Sequence, residues 1–351
     1  MISPPDLQTI DRIVGHLECA RSILFVTGAG LSADSGLPTY RGVGGLYETD
    51  DIVDGYAIDE ILSGDMFREQ PALVWKYLRQ IEQACRGAKF NRGHAIIAEM
   101  ERHFPRVWTV TQNVDGFHRE AGSRQLITLH GDLHQIKCTN CAWRERVVDY
   151  TSLLDLPRCG ECGAVLRPDV VLFGETLPTW SVRALKFQVQ EGFDLVFSIG
   201  TTSVFPYVSY PIELARERDK PTVEINLDTT RLSTLVRYRL TLGAALALDA
   251  IWSQYKEKHA ALQASGARSA GRRDRETRSE REDTTSLTRP CLQEGNRQPR
   301  SRGLPRSGLG PPFMAGEVSA VSLQPRSRGF SLFGLSHAQL RAAKAEQREG
   351  P

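Results

Sequence analysis

Short apolar runs recur through the first two-thirds of the chain. Each is rich in β-branched and aromatic residues and is bounded by Gly, Asn or Asp: ILFVT (23–27), VWTVT (107–111), LITL (126–129), DLVFSIG (194–200) and TVEINL (222–227). Runs without polar alternation predict strands buried on both faces, the habit of a parallel sheet. Between many of them the spacing turns helical. LVWKYLRQIEQAC (73–85), HAIIAEMERHF (94–104) and the stretches near 181–190, 207–217 and 245–263 place apolar residues at helical intervals. Strands alternating with helices predict an α/β fold built on a doubly wound parallel sheet.

Two stretches interrupt the alternation. Residues 44–92 read as mostly helical, and residues 133–176 as short strand-like pieces around four cysteines. Each is an insertion, and together they predict a smaller second lobe. From about Gln263 the chain changes character. GARSAGRRDRETRSERED and NRQPRSRGLPRSGLGPP hold few large apolar residues, and QPRSRG occurs at 298–303 and again at 324–329. Such a segment cannot offset its ordering entropy by burial, so a disordered tail is predicted.

Composition adds a limit on partners. The 351 residues carry 44 Lys+Arg and 42 Asp+Glu, of which residues 261–351 hold 16 and 9 and residues 1–260 hold 28 and 33. A mildly acidic body argues against nucleic acid as a partner of the core. The basic tail reads as solvated, with weak non-specific contact to acidic partners as the alternative. MISPPDLQTI lacks a secretory pattern, and no run is long and apolar enough to span a membrane. A cytoplasmic location is therefore expected.

Candidate chemistry begins at TGAGLSADSGLPTYRG (27–42). Gly28-Ala29-Gly30-Leu31-Ser32-Ala33 fits G-x-G-x-x-G/A directly after a predicted strand. Gly28 allows the tight turn, Gly30 lets a phosphate approach the backbone, and the amides point at a pyrophosphate. A dehydrogenase would continue into a long helix. Here Asp34, Ser35, Gly36 and Pro38 break it, so the chain leaves as a loop carrying Tyr40 and Arg41, the latter a candidate phosphate donor.

Cys138-x-x-Cys141 and Cys159-x-x-Cys162 are two knuckles at zinc-site separation. Four thiolates complete a tetrahedral shell, so a structural Zn2+ is predicted. A redox dithiol is the rival, but needs only one pair. Trp143, Arg144 and Arg146 permit nucleic-acid or protein contact by such a ribbon. TQNVDGFHREAG (111–122) sets Gln112, Asn113 and Asp115 at a strand's carboxyl end, and LITLHGDLH (126–134) does the same for His130. An imidazole there is a candidate general base, whereas His118 reads as structural and His134 is superfluous to a four-cysteine shell.

Taken in order, GAGLSADSGLPTYRG, TQNVDGFHREAG, LHGDLHQIKC, the cysteine pairs, LRPDVVLFGE (166–175), GTTS (200–203) and EIN (224–226) resemble the sirtuins of bacterial type, the NAD-dependent protein-lysine deacylases. The resemblance spans about residues 20–250. It implies a catalytic domain over 1–262 and a tail over 263–351. The Rossmann-like large part would cover about 1–43, 93–132 and 177–262; the small lobe would combine a helical module (44–92) with a zinc ribbon (133–176). It implies NAD as co-substrate, held by Gly28, Ala29, Gly30, Ser32, Tyr40 and Arg41, with Gln112 and Asn113 at the nicotinamide ribose and Asp115 at the carboxamide. Gly200, Thr201, Asn226 and Ala245 would line the adenosine side.

An acyl-lysine protein or peptide would add a strand against Val170, Phe173, Gly174 and Glu175 on one side and Ser203 and Val204 on the other. By the family's mechanism the acyl oxygen displaces nicotinamide. His130 then accepts a ribose proton, and O-acyl-ADP-ribose leaves. Two departures stand out. The desuccinylating branch carries Tyr-x-x-Arg where this chain has Leu78 and Ile81, which favours acetyl or longer neutral acyl groups. GTTSVFP is also one residue shorter from Gly to Pro than the family's spacing. Mono-ADP-ribosylation from the same pocket, and a non-catalytic zinc-ribbon binding module, are the competing functions.

Overall fold

The computed structural model describes residues 2–38 and 52–279. The first helix was not among the expected elements, although its apolar residues stand at helical spacing and its start is marked. Ser3 accepts from the Asp6 amide and Pro4 opens the first turn, giving α1 (Pro4–Cys19), whose Ile10, Ile13, Val14 and Leu17 are buried. Next come β1 (Ser22–Thr27) and the five-residue α2 (Ala29–Ala33). The expected break follows at once: Asp34 caps α2 and Gly36 takes φ +80.

The helical insertion starts with a hairpin, β2 (Ile52–Val53) and β3 (Tyr56–Ala57), and continues through α3 (Ile58–Ile61), α4 (Gly64–Glu69) and α5 (Pro71–Cys85). The chain returns to the main sheet with α6 (Arg92–His103), β4 (Arg106–Thr111), α7 (Phe117–Glu120) and β5 (Leu126–Thr128). The cysteine-bearing insertion is a three-stranded antiparallel sheet of β6 (Gly131–Cys138), β7 (Arg144–Arg146) and β8 (Leu166–Val170), in the order β7-β6-β8. Then α8 (Thr179–Glu191), β9 (Leu195–Ile199), α9 (Pro206–Glu217), β10 (Thr222–Ile225), β11 (Tyr238–Leu240) and α10 (Ala244–Ser279) complete the described chain.

The main sheet is parallel throughout, in the order β11-β10-β9-β1-β4-β5. All five strands expected from the apolar runs are present. The edge strand β11 was not foreseen, because YRL lacks an apolar run. Burial on both faces explains the unbroken patterns. Ile23 and Phe25 of β1 pack among residues of α1, α6 and α10, whereas Leu24 and Val26 pack among residues of α8 and α9. Each such large side chain contributes about 1.5–3 kcal/mol. A third apolar cluster unites α3–α5 with the small sheet.

Among the described residues, those up to Leu262 belong to one compact unit and those from Gln263 to a second. The expected disorder from 263 does not extend to the backbone through Ser279, which is helical. Ala, Gln, Arg and Glu there are helix formers, and extending an existing helix avoids the nucleation cost. The tail beyond Ser279 lies outside the described residues. Among the described residues no helix is long and apolar enough to cross a membrane.

Candidate functional site

The strand order reverses between β1 and β9, and that is where ligands sit in open α/β sheets. The turns leaving these two strands touch. Gly28 donates its N–H to Ile199 O (3.0 Å), Gly30 to Gly200 O (2.8 Å) and Leu31 to Gly28 O (3.1 Å). A Cβ on Gly30 would lie 2.6 Å from Gly200 Cα, and one on Gly28 2.7 Å from Gly200 O. The amides of Gly28, Gly30 and Leu31 are therefore bonded within the protein, and the missing Cβ atoms admit the neighbouring turn. Both glycines still shape the switch point, but through turn-on-turn packing. Tyr40 and Arg41 lie outside the described residues.

A polar network fans out from this junction. Asn113 Nδ2 donates to Gly28 O and to Ser32 Oγ (3.0 Å each), and Ser32 Oγ–H donates to Asp115 Oδ2 (2.6 Å). Asp115 also accepts from the Phe117 amide (2.9 Å). Burial raises the Asp115 carboxyl above its ordinary pKa, while these two donors favour the ionised form. Gln112 Nε2 donates to Thr201 Oγ1 (2.7 Å), and Asn226 Nδ2 to Thr201 O (3.0 Å). Residues expected on the ribose and adenosine sides are thereby joined. Ala245 sits at the start of α10, where its amide donates to Asp34 Oδ2 (2.7 Å). The Asp34 carboxylate therefore caps the amino terminus of α10 through that amide.

His130 follows β5, as expected. Its Nδ1 lies 3.0 Å from Gln112 O, and its Nε2 3.0 Å from the Tyr207 hydroxyl. A carbonyl only accepts, so Nδ1 carries the proton and Nε2 the lone pair. Burial lowers the ring's pKa to about 4, against the opposing Gln112 bond, so the imidazole is neutral at pH 7. That is the state a general base needs. Tyr207 was missed by sequence reading, since a tyrosine on a helix's first turn carries no local signal. His118, by contrast, is buried in α7 with its Nε2 2.9 Å from Thr27 Oγ1, beside His94.

The four cysteine sulfurs lie within 4.8 Å of one another. Cys138–Cys162 (3.4 Å) and Cys141–Cys159 (3.6 Å) are far longer than disulfide bonds. They approach the roughly 3.8 Å sulfur spacing implied by tetrahedral Zn–S bonds of about 2.3 Å. Burial opposes ionisation of Cys138, but N–H donors from Asn140 and Cys141 and the neighbouring thiols outweigh it, lowering its pKa to about 6. The donor set fits one structural Zn2+. His134 stands on β6 and is not part of the cluster.

The expected substrate edges need correction. The amides of Val171, Leu172, Phe173 and Glu175 donate to His130 O, Glu175 Oε2, Leu62 O and Leu172 O, and Phe173 O accepts from Gly64. Val170 pairs with Gly131 in the small sheet, and Glu175 is held by a bidentate ion pair to Arg167 (2.6 and 3.0 Å). Among the described residues Gly174, at φ +81, is the member of this stretch whose backbone makes no such bond. On the other side Ser203 is buried at φ +55, and Val204 O accepts from Arg231. The shortened GTTSVFP turn therefore forms no strand edge at Ser203. Leu78 and Ile81, expected at a pocket mouth, are only 2% and 5% exposed and belong to the small-lobe core.

A cavity of about 210 Å³ opens at the opposite, amino-terminal ends of β1 and β9, lined by Ser22, Arg106, Phe193 and Asp194. It contains none of the candidate residues. The strand-end network defines the candidate site because His130 and the polar groups converge there.

Comparison with known proteins finds relatives of the same fold. The Sir2 family model matches residues 28–206. The NAD-dependent protein deacylase 2 of Pseudomonas aeruginosa is 46% identical over 240 residues, which is 68% of this chain and 93% of the relative. A crystal structure of a Sir2 homologue–NAD complex superposes with TM-score 0.64 at 32% identity, covering 71% of this chain and 94% of the other. A Sir2 structure with a deacetylated p53 peptide and 3′-O-acetyl ADP-ribose gives TM-score 0.62 at 25% identity, covering 70% and 98%.

Proposed function

This chain belongs to the Sir2 family, and from that membership we propose an NAD-dependent protein-lysine deacylase that uses His130 as its base. The observation that carries the reading is the neutral imidazole at the switch point, its tautomer fixed by Gln112 O. Bound NAD supplies an anomeric carbon with nicotinamide as leaving group and, after acyl transfer, departs as O-acyl-ADP-ribose.

The chain's own residues divide the remaining work. Gly28, Ala29, Gly30 and Ser32 form the dinucleotide side of the cleft, and Gly200, Thr201, Asn226 and Ala245 the adenosine side; Tyr40 and Arg41 are assigned to NAD by their motif alone. Gln112 and Asn113 orient the nicotinamide ribose. Asp115, anchored through Ser32, accepts from the carboxamide. His130 removes the ribose proton once nicotinamide has left. Water exclusion at this stage limits hydrolysis of the ribosyl centre. Cys138, Cys141, Cys159 and Cys162 hold Zn2+ away from the chemistry and keep the small sheet in register. Gly174 is the favoured backbone partner for an acyl-lysine peptide.

Leu78 and Ile81 offer no cation, and the Arg79 guanidinium donates to the carbonyls of Tyr150, Leu153 and Leu154. With no cation at the two positions where the desuccinylating branch carries Tyr-x-x-Arg, an acyl carboxylate loses the partner that branch supplies. Neutral acyl groups are therefore the substrates. Residues 1–262 form the catalytic unit, the core binds no nucleic acid, the basic tail makes at most weak contact with acidic partners, and the protein works in the cytoplasm.

The test is an NAD-dependent assay on acetyl-, butyryl- and succinyl-lysine peptides, following nicotinamide and O-acyl-ADP-ribose. Acetyl or butyryl turnover exceeding succinyl by at least tenfold is expected. ADP-ribose attached to protein, with no O-acyl-ADP-ribose, would instead identify a mono-ADP-ribosyltransferase.

A further inference from the structure

Tyr207 contacts His130, yet the steps assigned to His130 leave it idle. It is the second residue of α9, and its hydroxyl lies 3.0 Å from His130 Nε2. Because Gln112 O forces the proton onto Nδ1, Tyr207 must donate, and it fills the one lone pair of the imidazole. A ribose proton needs that same lone pair. Either the phenol withdraws when substrate binds, or it passes the proton on.

The packing around Tyr207 discriminates between these. Its ring stacks on Phe205 at 5.3 Å and 8°, and meets His130 edge to face at 6.1 Å and 90°. Phe205 is the N-cap of α9, Pro206 fixes the intervening backbone, and Val208 and Ser209 that follow are buried. Withdrawal would break the stack and the hydrogen bond together, weakening substrate binding by roughly ten- to a hundredfold. Passing a proton along bonds already made needs no movement.

We propose that Tyr207 relays the ribose proton to His130, an inference that rests on the deacylase reading above. The ribose O–H bond breaks as the phenolic oxygen takes its proton, and the phenolic O–H bond breaks as Nε2 takes that proton. Tyr207 ends neutral, His130 ends as imidazolium, and the ribose oxygen's electron pair forms the bond to the acyl carbon as the C=N π pair of the imidate moves onto the substrate lysine nitrogen. The two transfers run in concert. A free phenolate is disfavoured there, since burial pushes the Tyr207 phenol well above its ordinary pKa.

The experiment uses the full chain with NAD and an acetyl-lysine peptide, measuring nicotinamide exchange and O-acetyl-ADP-ribose formation separately. Tyr207→Phe should retain exchange within about threefold and lose product formation by roughly a hundredfold, the scale of general acid–base assistance. Mono- and difluorotyrosine placed at 207 should then shift the product-forming rate systematically with phenol acidity, which a merely structural ring would not do. Product formation unchanged or faster in Tyr207→Phe overturns the relay and identifies a cap. Equal rates across the fluorotyrosine series overturn it as well, whatever the Phe variant does. A wild-type chain that releases no nicotinamide sinks the deacylase reading itself, a different failure from either.

Discussion

Gly30→Ala tests the turn-on-turn packing at the heart of the site. The added Cβ would stand 2.6 Å from Gly200 Cα, 3.0 Å from its O and 3.1 Å from its C, all backbone atoms. Carbon atoms pack comfortably at about 3.5–4.0 Å, so one turn must retreat by roughly 1 Å. Neither turn is free to do so. Gly200 N–H is bonded to Ile225 O, Gly30 N–H to Gly200 O and Gly28 N–H to Ile199 O. Overpacking of this kind costs about 2–3 kcal/mol. For a domain of this size that lowers the melting temperature by about 5–10 °C.

Gly15→Ala supplies the contrast. Gly15 is an exposed residue of α1 with open space where its Cβ would go. Alanine there should stabilise by about 0.5–1 kcal/mol, because glycine loses more backbone freedom in a helix. Melts at one fixed scan rate, followed by circular dichroism, with NAD affinity by calorimetry, compare the two variants. Gly30→Ala should melt lower and bind NAD more weakly; Gly15→Ala should melt slightly higher with unchanged affinity. The reasoning fails if Gly30→Ala melts within about 1 °C of wild type, or if both variants move in the same direction.

Four further outcomes are expected. His130→Ala should abolish product formation while NAD binding, read by calorimetry, survives; retained turnover would remove His130 as base. Burial holds His94 and His130 at pKa values of about 4 and His118 well below its ordinary value. Between about pH 6.5 and 4 the unfolded chain thus binds more protons than the folded one, and stability falls as pH drops, by about 1.4 kcal/mol per pH unit for each histidine; a melting temperature flat across that window would contradict their burial as neutral rings. Cys138→Ser should release zinc, measured by elemental analysis, and loosen the small lobe; a wild-type protein containing no zinc would refute the site. Ending the chain after Leu262 should leave deacylation and melting temperature nearly unchanged; a large fall in either would show that the later residues pack.

The five apolar runs read correctly as parallel strands because each is buried on both faces, which leaves a local signature. The zinc site was equally legible, since a chelating pair is a matter of spacing within a few residues. α1 was not among the expected elements although its sequence marks it twice, by the Ser3-Pro4 start and by Ile10, Ile13, Val14 and Leu17 at helical spacing. β11 is a three-residue edge strand with a single fully buried side chain, Leu240, too short for any pattern.

Function followed from local motifs to a similar depth. His130, Asn113, Asp115 and the four cysteines were named from strand ends and spacings that the chain carries within single segments. What the sequence could not decide is how segments remote along the chain meet. Gly30 excludes a Cβ because of Gly200, and Tyr207 reaches His130 from the first turn of α9. Leu78 and Ile81 lie in a core and not at a mouth. Such facts depend on contacts between residues far apart in sequence, set by the sheet order β9-β1-β4-β5, and no periodicity encodes them. The sequence by itself determined which groups are available and which strands end beside them; the tertiary structure decided which lone pairs, amides and spaces were already taken.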